Sequence, residues 1–302
     1  MANQGKIDLT LNRPAADATD VAYGPHERNR LDLYQAKSPA PTPLVVHIHG
    51  GGFSGGDKSG ARASIINLCH AAGISVAPIN YRFVKHAPLP AAMHDAARAV
   101  QFLRANAARW NLDPGQVAAT GGSAGGGTSL WLAFHKDLAD ASSGDPVARQ
   151  STHLTCVGVV NAQSSYDPRF VAKHIFRSEQ GPPPMLEFFG VSANQMDSPR
   201  APEAFHEASP IDLVDRGAPP VFMFYSIPNG PITAQTGRND AIHHPTFGNL
   251  LKAKLDRLGI ECVIRYGDQI PGSVKDEKIM NVDPEMVAFF RRHFDMARSH
   301  RP

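Results

Sequence analysis

Residues Val117–Gly127, VAATGGSAGGG, constrain this chain more than any other stretch. A short apolar run suited to a β-strand enters a glycine cluster that holds one serine, Ser123, and the helix-forming run Thr128–His135 follows at once. The centre reads G-x-S-x-G in the order strand, turn, helix. A serine at the apex of such a strained turn tolerates only very small neighbours, which Ala124 and the flanking glycines supply. Its hydroxyl is then lifted off the sheet, with the free N–H groups of a helix start behind it. That arrangement suits a nucleophile whose attack creates an oxyanion.

Upstream, the continuously apolar Leu44–Ile48, broken only by His47, reads as a buried central strand. His49–Gly50–Gly51–Gly52–Phe53 follows it directly. Three successive glycines let backbone N–H groups turn inward, so Gly51 and Gly52, with Ala124, are the candidate oxyanion donors. A flexible turn or a phosphate cradle is the competing reading, but Asp57–Lys58–Ser59 does not complete a G-x-x-x-x-G-K-[ST] pattern.

Taken in order, Val21–Tyr23 and Leu31–Tyr34 alternate as short antiparallel strands. Strands over 44–48, 74–80 and 117–122 then alternate with helices over about 61–72 and up to about 108. Further strands are predicted at 154–160, 221–226 and 261–266, with helices over about 244–258 and 283–296. The repeated β-α alternation predicts an α/β fold, a mostly parallel eight-stranded sheet flanked by helices with functional loops at the strands' carboxyl ends. The 302 residues are read as one domain.

Four blocks carry a likeness: HGGGF at 49–53, NYR at 80–82, PLPAAMHDAARAVQFL at 88–103 and NLDPGQVAATGGSAGG at 111–126. In order and spacing the chain resembles the hormone-sensitive-lipase-like esterases of the α/β-hydrolase superfamily, especially their compact feruloyl- and acetyl-esterase types. The resemblance implies a serine carboxylesterase acting on small or medium acyl esters through an acyl-enzyme on Ser123. It also implies that the proline- and aromatic-rich excursion at about 164–210, between strands six and seven, is where a lid or acyl pocket is built; for most of its apolar residues plain packing onto the body is the preferred reading.

A serine of this kind needs a base and an orienting acid, in chain order Ser, Asp or Glu, His. The best match for the acid is Asp240, in the turn after strand seven, with Asp167 after strand six as runner-up. The resemblance places the histidine just after strand eight, yet Tyr266–Ser273 contains none. His243 or His244, close to Asp240, is then the first choice for the base; His49 or His94 assisting is the second. A chain lacking an efficient base, a hydrolase-fold binding protein, is the alternative function. An acyltransferase or peptidase shares only the nucleophile.

Composition narrows the partners. A formal charge of +2 without a Lys/Arg run argues against a nucleic-acid partner, and no stretch approaches a membrane-spanning length. No cofactor fingerprint is present, and adjacent His243 and His244 lack the i, i+4 spacing of helical metal ligands. Cys69, Cys156 and Cys262 each lie in apolar runs and are expected to be buried, reduced thiols. The N-terminus shows no apolar leader, which reads as cytoplasmic, or as secreted or periplasmic had a leader been removed. A small-molecule ester is the expected partner, and a homodimer is one assembly open to the fold.

Overall fold

The computed structural model describes residues 12–176, 185–192, 201–270 and 281–299. The chain opens with an antiparallel pair, β1 (Ala18–Ala22) and β2 (Arg30–Leu33). It then alternates β3 (Thr42–Ile48), α1 (Ala63–Ala71), β4 (Ser75–Ile79), α2 (Ala91–Ala105), β5 (Leu112–Gly122), α3 (Ala124–Phe134) and β6 (Cys156–Val160). Among the described residues, short helices follow β6: α4 (Pro168–His174), α5 (Met185–Phe189), α6 (Ala201–Ala208) and α7 (Pro210–Leu213). The chain ends with β7 (Val221–Tyr225), α8 (Arg238–Ile242), α9 (Thr246–Arg257), β8 (Cys262–Tyr266) and α10 (Asp283–Ser299).

These strands form one eight-stranded sheet in the order β1-β2-β4-β3-β5-β6-β7-β8. Pairing is parallel from β4 through β8 and antiparallel only at β1 and β2. This is the α/β-hydrolase architecture. The central strands are buried on both faces because helices cover both. Val46, Ile48 and Ala119 face the layer containing α2 and α3, while Val45, Ala118, Cys156 and Phe222 meet α1 and α10. A side-chain period of two on each strand makes that division.

One boundary differs from the sequence expectation in a way that matters. Helix α3 begins at Ala124, immediately after the serine, so the glycine run forms its first turn instead of preceding it. Local propensity treats glycines as breakers, but here close packing demands them. A Cβ on Gly125 would lie 2.0 Å from the carbonyl oxygen of Ile48, so only glycine lets the helix start press onto β3. Cys69 and Cys156 are buried and free, as expected, whereas Cys262 is only half-buried because β8 is the outer strand of the sheet. Of the predicted excursion, 177–184 and 193–200 lie outside the described residues, Pro182–Pro184 among them. Among the described residues no helix is long and apolar enough to cross a membrane.

Candidate active site

Ser123 joins β5 to α3 with φ 52° and ψ −124°, a conformation that side chains rarely adopt. The turn is held because the Ser123 N–H donates to the Val160 carbonyl at 2.9 Å on the neighbouring strand. Its own carbonyl accepts the Gly127 N–H at 2.9 Å, the first helical bond. With both backbone groups engaged, the side chain is the free part of the residue.

Ser123 Oγ lies 2.9 Å from His243 Nε2. The same ring places Nδ1 3.0 Å from the carbonyl oxygen of Asn239. A carbonyl can only accept, so the proton resides on Nδ1 and the Nε2 lone pair is left for the serine hydroxyl. Burial, partly countered by the Asn239 carbonyl and the Asp240 charge, draws His243 below its ordinary 6.5, so the imidazole is neutral at pH 7. A neutral ring with an open lone pair on a serine hydroxyl can serve as a general base. The segment carrying it is tied down by Gln163, whose Nε2 donates to the Ile242 carbonyl at 2.7 Å.

Opposite, the loop after β3 sorts its backbone groups. The carbonyls of residues 49 and 50 accept from Tyr81 Oη at 2.8 and 3.4 Å, and that of Gly51 accepts the N–H groups of Ser54 and Gly55, each at 3.0 Å. With the carbonyls consumed, the N–H groups of Gly51, Gly52 and Ala124 donate to no described group. Gly51 has φ +107°, and a Cβ there would meet the Gly55 carbonyl oxygen at 2.3 Å, so this position requires glycine.

Next to these groups lies an apolar cavity of about 520 Å³. Gly51, Gly52, Ser123, Ala124 and His243 line it, with Phe53, Tyr166, Met185, Phe188 and Ile242 as its apolar wall. Met185 and Phe188 come from α5, so the excursion after β6 does contribute to this wall. A second cavity of about 440 Å³ shares Gly51, Ser123 and His243 with the first and has a mixed lining, with His47, His49, Asp57, Arg62 and Asn161 beside Val160 and glycines.

The family follows from the chain compared with known proteins. The BD-FAE family profile matches residues 31–229, which run from β2 past β7 and include Ser123 and both glycines. The chain belongs to the BD-FAE family. It is 30% identical over 217 residues to "Esterase LipQ" of Mycobacterium tuberculosis, covering 70% of this chain and 49% of LipQ. It is 26% identical over 225 residues to "Esterase LipC" of the same organism, covering 72% of this chain and 53% of LipC. The chain thus spans about half the length of these curated relatives. Among solved structures, a "Truncated form of carbohydrate esterase from gut microbiota" superposes with a TM-score of 0.69 at 22% identity. That alignment covers 94% of this chain and 100% of that one, and it establishes a shared fold.

Within this BD-FAE chain the sequence candidates separate. Of the adjacent histidines, His243 meets the serine, whereas His244 is buried and turned to the start of α9. There its Nδ1 accepts the Thr246 N–H at 3.2 Å and lies 2.8 Å from Thr246 Oγ1. Asp240 is exposed and makes no hydrogen bond to His243 among the described residues; the Asn239 carbonyl occupies Nδ1 instead. Asp167 caps α4 and pairs with Arg169 at 2.6 Å, far from this task. His94 lies 3.5 Å from Glu207 and edge-on to Trp131. His293, on α10, packs against Phe289. In the loop after β8, Pro271, Gly272 and Ser273 lie outside the described residues.

Sequence reasoning passed over Asn239, Gln163 and Tyr166. Asn239 acts through its backbone, which no residue type advertises. One cluster, His26, Glu27 and His86, brings ligand atoms within 4.8 Å among the described residues. His26 Nδ1 accepts the Arg28 N–H, however, which puts that ring's proton on Nε2 and leaves it no free lone pair for a metal.

Proposed function

We propose that this chain is a serine carboxylesterase for small and medium acyl esters. The observation that carries the reading is the 2.9 Å contact of Ser123 Oγ with His243 Nε2, on a ring whose other nitrogen is committed to the Asn239 carbonyl. The esterase names of LipQ and LipC support the same reaction class.

In this reading His243 takes the Ser123 proton as Oγ attacks the ester carbonyl carbon. The oxyanion that forms is met by the N–H groups of Gly51, Gly52 and Ala124, each donor of this kind lowering the barrier by about 3–4 kcal/mol. His243 then returns the proton to the departing alcohol, leaving the acyl group on Ser123. Water, deprotonated by the same ring, releases the acid. The acyl chain enters the apolar cavity beside Phe53, Met185 and Phe188, whose roughly 520 Å³ suits small and medium groups. The alcohol side faces the second cavity, with its charged and histidine side chains.

The alternative, a pocket that has lost its base, rests on the missing histidine after β8. The 2.9 Å contact of His243, from the segment after β7, with Ser123 supports the esterase reading over it.

The test is p-nitrophenyl acetate and butyrate hydrolysis by the wild type, Ser123→Ala and His243→Ala, following burst and steady state. Sustained turnover is expected, with kcat lowered at least about a thousandfold in either variant. Turnover indifferent to Ser123→Ala would overturn the proposal. A burst without turnover in the wild type would show acylation without a working base, and would remove His243 from its role.

A further inference from the structure

The oxyanion loop is clamped from a part of the chain that no motif singles out. Arg28 lies in the turn between β1 and β2. Its Nε donates to the Tyr81 carbonyl at 2.8 Å, and one terminal nitrogen donates to the Gly56 carbonyl at 3.1 Å. The guanidinium lies over the Phe83 ring, 3.7 Å from its centroid. The same terminal nitrogen is 3.4 Å from His49 Nε2.

His49 is the residue through which this clamp reaches the site. Its ring stacks on Tyr81 with centroids 4.3 Å apart and rings inclined by 17°. Its Nδ1 lies 2.7 Å from the Gly50 carbonyl, which can only accept, so Nδ1 carries the proton. Its Nε2 faces a guanidinium, which can only donate, so Nε2 must be the acceptor. The two contacts demand the same tautomer. Burial draws His49 down to about 4, with the Arg28 charge acting in the same sense, so the ring is neutral at pH 7. With the Gly50 carbonyl bound by His49 and Tyr81, the peptide between Gly50 and Gly51 is held in one orientation, and Gly51 lines the same cavity as Ser123.

We propose that Arg28 is a positioning residue for the oxyanion hole, holding His49 in its Nδ1–H tautomer and bracing the 49–56 loop against Tyr81. The kinetic part of this proposal rests on the ester-hydrolysis reading; the tautomer part does not. Arg28 touches no reacting atom. Its effect belongs to kcat, because a hole that wanders is filled less often in the transition state while ester binding in the cavities is unaltered.

The experiment compares wild type, Arg28→Met and Arg28→Lys, methionine keeping a stem against Phe83 without the donors. Nitrogen-15 NMR of histidine-labelled protein at pH 7, with His49→Gln for assignment, reads the tautomer. Expected are Nδ1–H in the wild type and a mixture with Nε2–H in Arg28→Met. In p-nitrophenyl acetate hydrolysis kcat falls about tenfold with KM within about twofold, and lysine restores little because it lacks the planar fork. A His49 that stays wholly Nδ1–H in Arg28→Met, or an unchanged kcat, would overturn the proposal. If Arg28→Met does not fold, Arg28→Lys is read by the same two criteria. A wild type without Ser123-dependent turnover would sink the esterase reading, and the tautomer measurement alone would then decide this one.

Discussion

His243 Nδ1 sits 3.0 Å from the carbonyl oxygen of Asn239, four residues earlier in the first turn of α8, so a backbone carbonyl and not a carboxylate fixes the tautomer of this ring. A carbonyl selects the same tautomer as a carboxylate but stabilises the imidazolium less. Asp240, one residue on and exposed, contributes its charge without a hydrogen bond to the ring among the described residues. Asp240→Asn is therefore expected to change kcat/KM by less than about fivefold, the range of an exposed charge. A fall of a thousandfold in steady-state assays would make Asp240 the orienting acid after all.

The pH profile follows from the same ring. Burial lowers His243 below 6.5, and the base must be unprotonated to work. As pH falls through that lowered value the ring takes a proton and kcat/KM is lost; as pH rises above it, kcat/KM climbs to a plateau. Measured over roughly pH 4 to 8, the midpoint is expected below 6.5. Asp240→Asn should move it lower still, since the carboxylate raises this histidine's affinity for protons. A midpoint above 6.5 contradicts the neutral-base assignment.

The neighbouring histidine should behave in the opposite way. His244 accepts from the first N–H of α9 and is buried, which is a capping role. His244→Ala is expected to cost about 1 kcal/mol of stability, read as a lower Tm, with kcat hardly altered. Large loss of kcat at unchanged Tm would exchange the roles of the two rings.

Gly51→Ala tests the oxyanion loop directly. Its φ of +107° and the 2.3 Å approach of the Gly55 carbonyl force the loop to shift when a methyl is added. We expect kcat to drop about a hundredfold, as for loss of one oxyanion donor, with KM little changed. Gly60→Ala, where an added Cβ meets nothing within 4 Å, is the matched control and should retain activity.

Asp283, fully buried at the start of α10, accepts Arg62 Nη2 at 2.5 Å, Arg62 Nε at 3.2 Å and Ser64 Oγ at 2.7 Å. It ties α10 to α1 across the sheet's second face. Asp283→Asn leaves Arg62 without its counter-charge and should cost about 3 kcal/mol in denaturant unfolding. An unchanged midpoint would mean that solvent replaces the pair.

The strands and the elbow were legible because their signals are local. A run such as Leu44–Ile48 can only be a buried strand, and Ser123 between glycines can only sit on a sharp turn. The start of α3 was not, since Gly125–Gly127 weaken a helix by propensity and are retained for the approach of β3. Cys262 was expected buried and is half-buried, since its apolar run does not say that β8 is the last strand of the sheet among the described residues.

For the site, sequence alone determined the chemistry of the parts: one serine in a strained turn, three glycines able to present N–H groups, and a histidine pair near one aspartate. Tertiary structure decided the rest. Adjacent residues point in directions about 100° apart on a helical turn, so only packing could send His243 to Ser123 and His244 to Thr246. Every residue carries a carbonyl, so only the turn of α8 could single out that of Asn239. The reach of Arg28 to His49, across 21 residues, likewise exists only once β1 and β2 have closed onto the sheet.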